Sequence, residues 1–217
     1  MLDAYADKGE DGLHEVMKET GYNYNVSTSS KDFKVEDDSE ISPDVRYSKG
    51  SSDLTVHTFD DPEDDERIRV QVIVNLEDTT VSAGYPTWAE DTIAVSYNGD
   101  DWTNVGEASL RITPDEGGSI ELFPGSVEDG GLAAIIDLDS VYTDATQNVL
   151  LAQSLHNLRG IPGTIYGSYV HSWSPNPSSV SVDSVQGGDG PVEVSFDGRL
   201  DNDWQITDDE DTDELID

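Results

Sequence analysis

The stretch Arg67-Ile68-Arg69-Val70-Gln71-Val72-Ile73-Val74-Asn75-Leu76 decides the fold. Ile68, Val70, Val72, Val74 and Leu76 recur at every second position with Arg69, Gln71 and Asn75 between them, the period of a β-strand with one face in a core and the other wet. Working outward, similar alternation predicts strands at 92–97, 109–113, 119–123, 164–173, 179–185 and 191–196. Leu132 to Leu138 is a continuous apolar run, suited to a strand buried on both faces. Turn sequences rich in Gly and Asp separate these runs, among them Asn98-Gly99-Asp100-Asp101, Glu128-Asp129-Gly130-Gly131 and Gln186-Gly187-Gly188-Asp189-Gly190. Roughly ten short strands with such turns predict an all-β protein, a β-sandwich with the jelly roll as the favoured variant.

Two helices are expected beside the strands. Over residues 10–20, Leu13, Val16 and Met17 share a face at i, i+3, i+4, and Gly21 is placed to end the helix. Near 143–159, Thr143 or Asp144 offers an N-cap, Leu151, Leu155 and Leu158 share a face, and Gly160 and Pro162 follow. Such a helix would plug one end of the sandwich. The polar stretch from Tyr22 to Gly50 reads as an extended arm or loosely paired strands. The chain thus divides into a helix and arm (1–50), a sandwich (51–206) and an acidic tail (207–217), with Asp208 to Glu214 either solvated or a strand-end extension ordered only by a partner. Because the arm is poor in apolar residues, the stripe Leu13, Val16 and Met17 is expected to dock on a neighbouring subunit.

Composition adds a strong constraint. The 217 residues hold 47 Asp and Glu against 11 Lys and Arg, a formal charge of -36. Self-repulsion on this scale destabilises a compact chain. The Debye length shrinks from roughly 10 Å at 0.1 M salt to about 3 Å at 1 M, so concentrated salt removes most of that penalty. All lysines (Lys8, Lys18, Lys31, Lys34, Lys49) precede residue 50, and the rest of the chain uses Arg alone. This acid-rich, lysine-poor composition resembles proteins of haloarchaea and of the viruses that infect them.

The same numbers exclude several chemistries. Eleven scattered cations give no basic face for direct nucleic-acid binding. With no cysteine there is no disulfide, thiolate nucleophile or Cys-containing zinc site. Residues 1–7 lack the basic and apolar regions of a secretory signal and no segment has the length of a membrane span, so synthesis in the cytoplasm is expected. No Gly-x-Ser-x-Gly elbow, phosphate loop or GxGxxG turn occurs. His14, His57, His156 and His171 stand apart in sequence and read as surface or packing residues.

Two weaker sites remain. Asp60, Asp61, Asp64, Asp197 and Asp201 offer carboxylate oxygens of the kind that structural Ca²⁺, Mg²⁺ or Na⁺ prefers. Tyr85, Trp88, Tyr97 and Trp102 lie close together, and Trp88 and Trp102 are candidate stacking platforms for a glycan. The strand-rich part from Leu54 to Ile206, flanked by arms and carrying no catalytic constellation, resembles structural proteins of haloarchaeal virus particles, capsid or tail. That resemblance implies a non-enzymatic, cofactor-free subunit that assembles with itself and other virion subunits in the haloarchaeal cytoplasm. The alternative is a carbohydrate- or cell-surface-binding sandwich whose partner is a host-surface glycan.

The charge arithmetic predicts a fold conditional on salt. Transfer from concentrated to dilute salt should abolish the β signal in circular dichroism; a sharp, high melting transition in dilute buffer would refute it.

Overall fold

The computed structural model describes Ala4 and residues 8–21, 23–32, 51–61, 64–76, 90–113, 118–125, 127–138, 147–173, 180–198, 202–213 and 215. Among the described residues, the helix α1 (Glu10–Thr20) precedes twelve strands. These are β1 (Tyr24–Asp32), β2 (Ser51–Asp61), β3 (Asp64–Leu76), β4 (Asp91–Ser96), β5 (Trp102–Thr113) and β6 (Gly118–Leu122). They continue as β7 (Gly131–Leu138), β8 (Gln147–Asn157), β9 (Thr164–Trp173), β10 (Ser181–Gln186), β11 (Glu193–Asp197) and β12 (Asn202–Asp211). Two five-stranded antiparallel sheets form, ordered β1-β2-β3-β8-β5 and β12-β9-β4-β7-β6, with β10 and β11 as a separate ribbon.

The deciding stretch lies in β3, at the centre of the first sheet. Its even-numbered residues from Ile68 to Leu76 are buried among Leu54, Val56, Val149, Leu151 and Leu155, and this layer faces Ile93, Val95, Ala134, Ile136, Ile165 and Tyr169 of the second sheet. Face-to-face burial of two such layers is the main stabilising term of a sandwich. Gly167 on β9 lets the sheets approach: a Cβ there would meet Val56 Cγ2 at 2.5 Å and Val72 Cγ2 at 3.1 Å.

Within the sandwich class the strand order differs from the favoured jelly roll. Numbering β2, β3, β4, β5, β8, β9 and β12 from one to seven, the first sheet runs one-two-five-four and the second seven-six-three, the immunoglobulin-type arrangement. The β6–β7 hairpin extends the second sheet, and the β10–β11 ribbon lies between the sixth and seventh of these strands in the chain. Alternation tells which face of a strand is buried and not which strand it pairs with, so the two variants are indistinguishable in the sequence.

Where the sequence predicts a helix near 143–159, residues 147–157 are the strand β8, held between β3 and β5, and the N-cap candidates Thr143 and Asp144 lie outside the described residues. Leu151 and Leu155 fit a helical face, yet Val149, Leu151, Gln153, Leu155 and Asn157 also alternate and are all buried. Pairing on both sides overrides local helix propensity. Gly160 ends no helix; it belongs to a turn organised by Asn157, whose Oδ1 accepts from the amides of Arg159 (3.1 Å) and Gly160 (2.8 Å) and whose Nδ2 donates to the Ile161 carbonyl (2.9 Å). Leu158, expected on the buried face, is exposed in that turn.

Both outer faces are covered as well. On the first sheet, Met17 of α1 packs on Phe59, Ile73 and Leu150. Met17 of the stripe expected to reach a neighbour is therefore covered by its own chain; Val16 is half-buried, and the Leu13 side chain is outside the described residues. The supposedly wet face of β3 carries Ile73, which with Phe59 makes an apolar seat for the helix. On the second sheet, Ala94, Ala133 and Ile135 pack against Val182, Val185 and Val192 of the ribbon region, so β7 is buried on both faces as its continuous run predicts. The segment expected to be an acidic tail from 207 is strand through Asp211, paired residue by residue with β9, and Thr212 is buried. Its acids accept from neutral donors: Ser27 Oγ to Asp208 (2.8 Å) and Thr164 Oγ1 to Asp211 (2.8 Å). Arm residues 33–50 lie outside the described residues.

Leu155→Ala should destabilise the fold by about 2 to 5 kcal/mol, since the side chain is fully buried in the intersheet core. An unchanged denaturation midpoint in concentrated salt would contradict that packing.

Candidate functional site

Three of the turns recognised in the sequence meet at one end of the second sheet: residues 97–101 after β4, 123–130 before β7, and 187–190 after β10. They are knitted backbone to backbone, Gly99 N donating to Asp129 O (3.1 Å), Gly187 N to Glu128 O (2.9 Å) and Gly188 N to Gly130 O (3.1 Å). Gly130 is the keystone: its φ of +115° is a conformation L side chains rarely adopt, and a Cβ there would collide with the carbonyl oxygen of Tyr97.

Between these turns lies an open cleft of about 780 Å³. Buried Tyr97, Trp102 and Ala133 form its floor, half-buried Phe123 and Val127 line a wall, and Asn98, Asn104, Asp100, Asp129 and Asp189 offer polar atoms at its rim. The Tyr97 phenolic oxygen bonds the backbone of Gly131 and Asn104, while burial pushes its pKa up to about 12. Asn104 Nδ2 donates to Gly131 O (3.0 Å), so Tyr97 and Asn104 together tie the first sheet to the second beside the cleft. Arg159 approaches the same end, 3.0 Å from Asp101 and 3.9 Å from Asp100.

Such a lining presents an apolar floor, amide groups and carboxylate acceptors, a set suited to hydroxyl groups. No histidine, lysine, arginine or serine is among the lining residues described.

Neither of the two tryptophans chosen as stacking platforms is shown to offer an open ring face here, although Trp102 lines the floor of the cleft. Trp102 is only 1% exposed, its indole enclosed in the core with Nε1 about 3.0 Å from where a Gly163 Cβ would stand, so neither of its faces is open to a ligand. As the first residue of β5 it points into the sandwich. Trp88 and Tyr85 lie outside the described residues. Phe123, Asn104, Asp129 and Asp189 were not singled out in the sequence; their signal was present only as turn composition, with nothing to say that the turns converge.

The acidic candidates separate into different settings. Asp60 accepts from Asn23 Nδ2 (3.0 Å), and buried Asp61 lies between the guanidinium groups of Arg69 (3.7 Å) and Arg67 (3.9 Å). Asp64 joins Glu66 and His156, with ligand atoms all within 4.8 Å of one another. That donor set suits a metal in chemical type, but Arg67 stands 3.4 Å from the Asp64 carboxylate and neutralises it. Asp197 is exposed on β11, over the other sheet, and Asp201 lies outside the described residues.

His171 and Asp91 form a buried polar knot, both about 2% exposed. Asp91 Oδ2 accepts from Tyr169 OH (2.6 Å) and lies 2.9 Å from His171 Nδ1; Oδ1 accepts from the Ser172 amide (3.0 Å). Ser172 Oγ donates to the Glu90 carbonyl (2.8 Å) and the Glu90 carboxylate accepts from the Val182 amide (3.0 Å), so the knot pins the starts of β4 and β10 to the end of β9. A fully engaged buried carboxylate of this kind anchors strands.

No protein-family model and no curated protein matches the chain. Solved structures with a similar fold include a pore-forming protein, at 6% identity over 88% of this chain and 92% of that one (TM-score 0.43). The KRT10-binding region domain of the pneumococcal serine-rich repeat protein PsrP aligns at 8% identity over 80% and 98% (TM-score 0.36). The collagen-binding domain of a Staphylococcus aureus adhesin aligns at 10% identity over 62% and 89% (TM-score 0.30). At such identities the likeness concerns the β-sandwich alone.

Tyr97→Phe should lower stability by about 1 kcal/mol, because it removes the phenol's hydrogen bonding to the backbone of Gly131 and Asn104. In the native protein, spectrophotometric titration should show one tyrosine ionising near pH 12; absence of that late phase in wild type would contradict the buried, backbone-bonded phenol.

Proposed function

We propose that this chain is a recognition module, a salt-adapted β-sandwich that binds a polyhydroxylated surface ligand, a glycan, in the cleft between its three knitted turns. The carrying observation is the cleft lining: Phe123 offers a ring edge or face, Asn98 and Asn104 offer amides, and Asp100, Asp129 and Asp189 offer carboxylate oxygens. Carboxylates repel phosphate and other acidic groups. In concentrated salt the long-range attraction of a cationic ligand is screened, whereas short hydrogen bonds from hydroxyls to carboxylates keep their strength. A glycan satisfies both conditions.

Binding without turnover is part of the proposal, as is its setting: the surface of a halophile or of a particle that infects one, where acidic, salt-adapted composition is at home. Use of Met17 within the chain's own fold weakens the case for a shell subunit gripping neighbours through α1, and so favours recognition over assembly.

A glycan array probed in concentrated KCl should give saturable binding to a restricted set of sugars. Asn104→Ala and Phe123→Ala should each weaken it about tenfold or more, the effect of losing one well-placed contact. Binding indifferent to both substitutions, or none across the array by a folded protein, would refute the reading.

A further inference from the structure

We propose that α1 is an acid-released cover on the outer face of the first sheet, with His57 beneath it as the trigger. His57 lies on β2 between Thr55 and Phe59 of the same face, opposite Val26 of β1 and Gln71 of β3. It is 3% exposed, and its Nε2 has no hydrogen-bond partner. On the helix side, His14 has its Nδ1 2.6 Å from the hydroxyl of Tyr24 on β1 and is near enough for its charge to act on His57.

The other charged groups of the packed elements are turned elsewhere. Asp11, Glu15, Lys18 and Glu19 are exposed on α1, Glu15 being tied to Lys8 at 2.7 Å, and Arg69 of β3 points to Asp61. Among the described residues, protonated His57 would therefore have no carboxylate to answer it, and the charge of His14 would oppose it. Burial first, and the charge of His14 second, hold the His57 pKa down from 6.5 to about 3.

The direction follows from proton linkage. With α1 docked, His57 stays neutral down to about pH 3; with α1 lifted and the ring hydrated, it takes a proton near 6.5. Between those values the lifted state binds more protons, so docking is at full strength above 6.5 and weakens steadily as pH falls. The helix is held lightly enough for this to matter. Its N-cap Gly9 makes no side-chain cap, and Met17 is the one fully buried side chain described on it. Release uncovers Phe59, Ile73 and Leu150, an apolar patch on an intact sandwich.

The test follows amide exchange of residues 10–20 and binding of an apolar dye from about pH 7 to pH 4 in concentrated salt, with circular dichroism reporting the sheets. Wild type should lose at least tenfold protection in the helix and gain dye fluorescence while the β signal persists. His57→Phe and His57→Gln, which cannot take up the proton, should keep both readings flat, so carboxylate titration common to all three chains cancels. Equal responses in wild type and variants would overturn the proposal, as would helix protection lost only together with the β signal. Should neither variant fold, the imidazole resonances of wild-type His57 decide the matter: titration near 6.5 with the helix still protected refutes the trigger.

Discussion

Mutual repulsion among carboxylates is the constraint that everything else in this protein accommodates. With 47 acids and 11 bases, ion pairing can answer only a minority of the negative side chains. Neutral donors answer many of the rest. Asn75 serves Asp53 (3.1 Å), Asn23 serves Asp60, Ser27 serves Asp208, Thr164 serves Asp211, and Tyr169 with the Ser172 amide serves Asp91. Such bonds do not rest on long-range attraction, so brine that screens the repulsion leaves them in place. Guanidinium groups gather where a carboxylate is buried, as Arg67 and Arg69 do around Asp61.

The second constraint is that each sheet carries buried apolar residues on its outer face as well as its inner one. Two sheets facing one another leave two further surfaces, and the chain spends helix α1 on one and the β10–β11 ribbon on the other. Small residues make the second cover possible: Ala94 and Ala133 lie beneath the ribbon, and the nearby hydroxyls of Ser96 and Ser168 bond Gly190 O (2.5 Å) and the Val192 amide (3.3 Å). The ribbon's turn then meets the turns of the sheet below it, and the cleft is the space between them. Layering and candidate site thus have one origin.

Much of this was legible in the sequence, and the failures are physically specific. Period two located most strands, including β9 with its bounds at Thr164 and Trp173. It failed at β8, where Leu151 and Leu155 satisfied two periods at once and only pairing with β3 and β5 decided between them. At Asp208 to Asp211 it left solvation and a partner-ordered strand extension open, whereas the residues that order those acids lie on β1 and β9 of the same chain. The cleft was visible as three separate turns. That they meet is a property of strand order, which alternation does not encode, and Trp102 was misjudged because an aromatic in a strand pattern carries no mark of whether its ring faces inward.

The contact of β12 with β1 bears on how the protein comes to be folded. Asn25 donates to the carbonyl of Asp211 (3.0 Å) and Ser27 to Asp208, closing one edge of the sandwich across more than 180 residues of chain. During synthesis the β1-β2-β3 meander can pair as it leaves the ribosome, but β3 lacks its other neighbour until β8 follows, and the second sheet lacks its edge strand until β12 does. Until β4 and β7 follow, the nascent chain exposes the inner face of β3, and until β9 and β12 follow, the layer that covers it is incomplete. Wherever salt leaves it unscreened, the dense negative charge that burdens the finished molecule serves it here, because it keeps such half-built chains from sticking to one another.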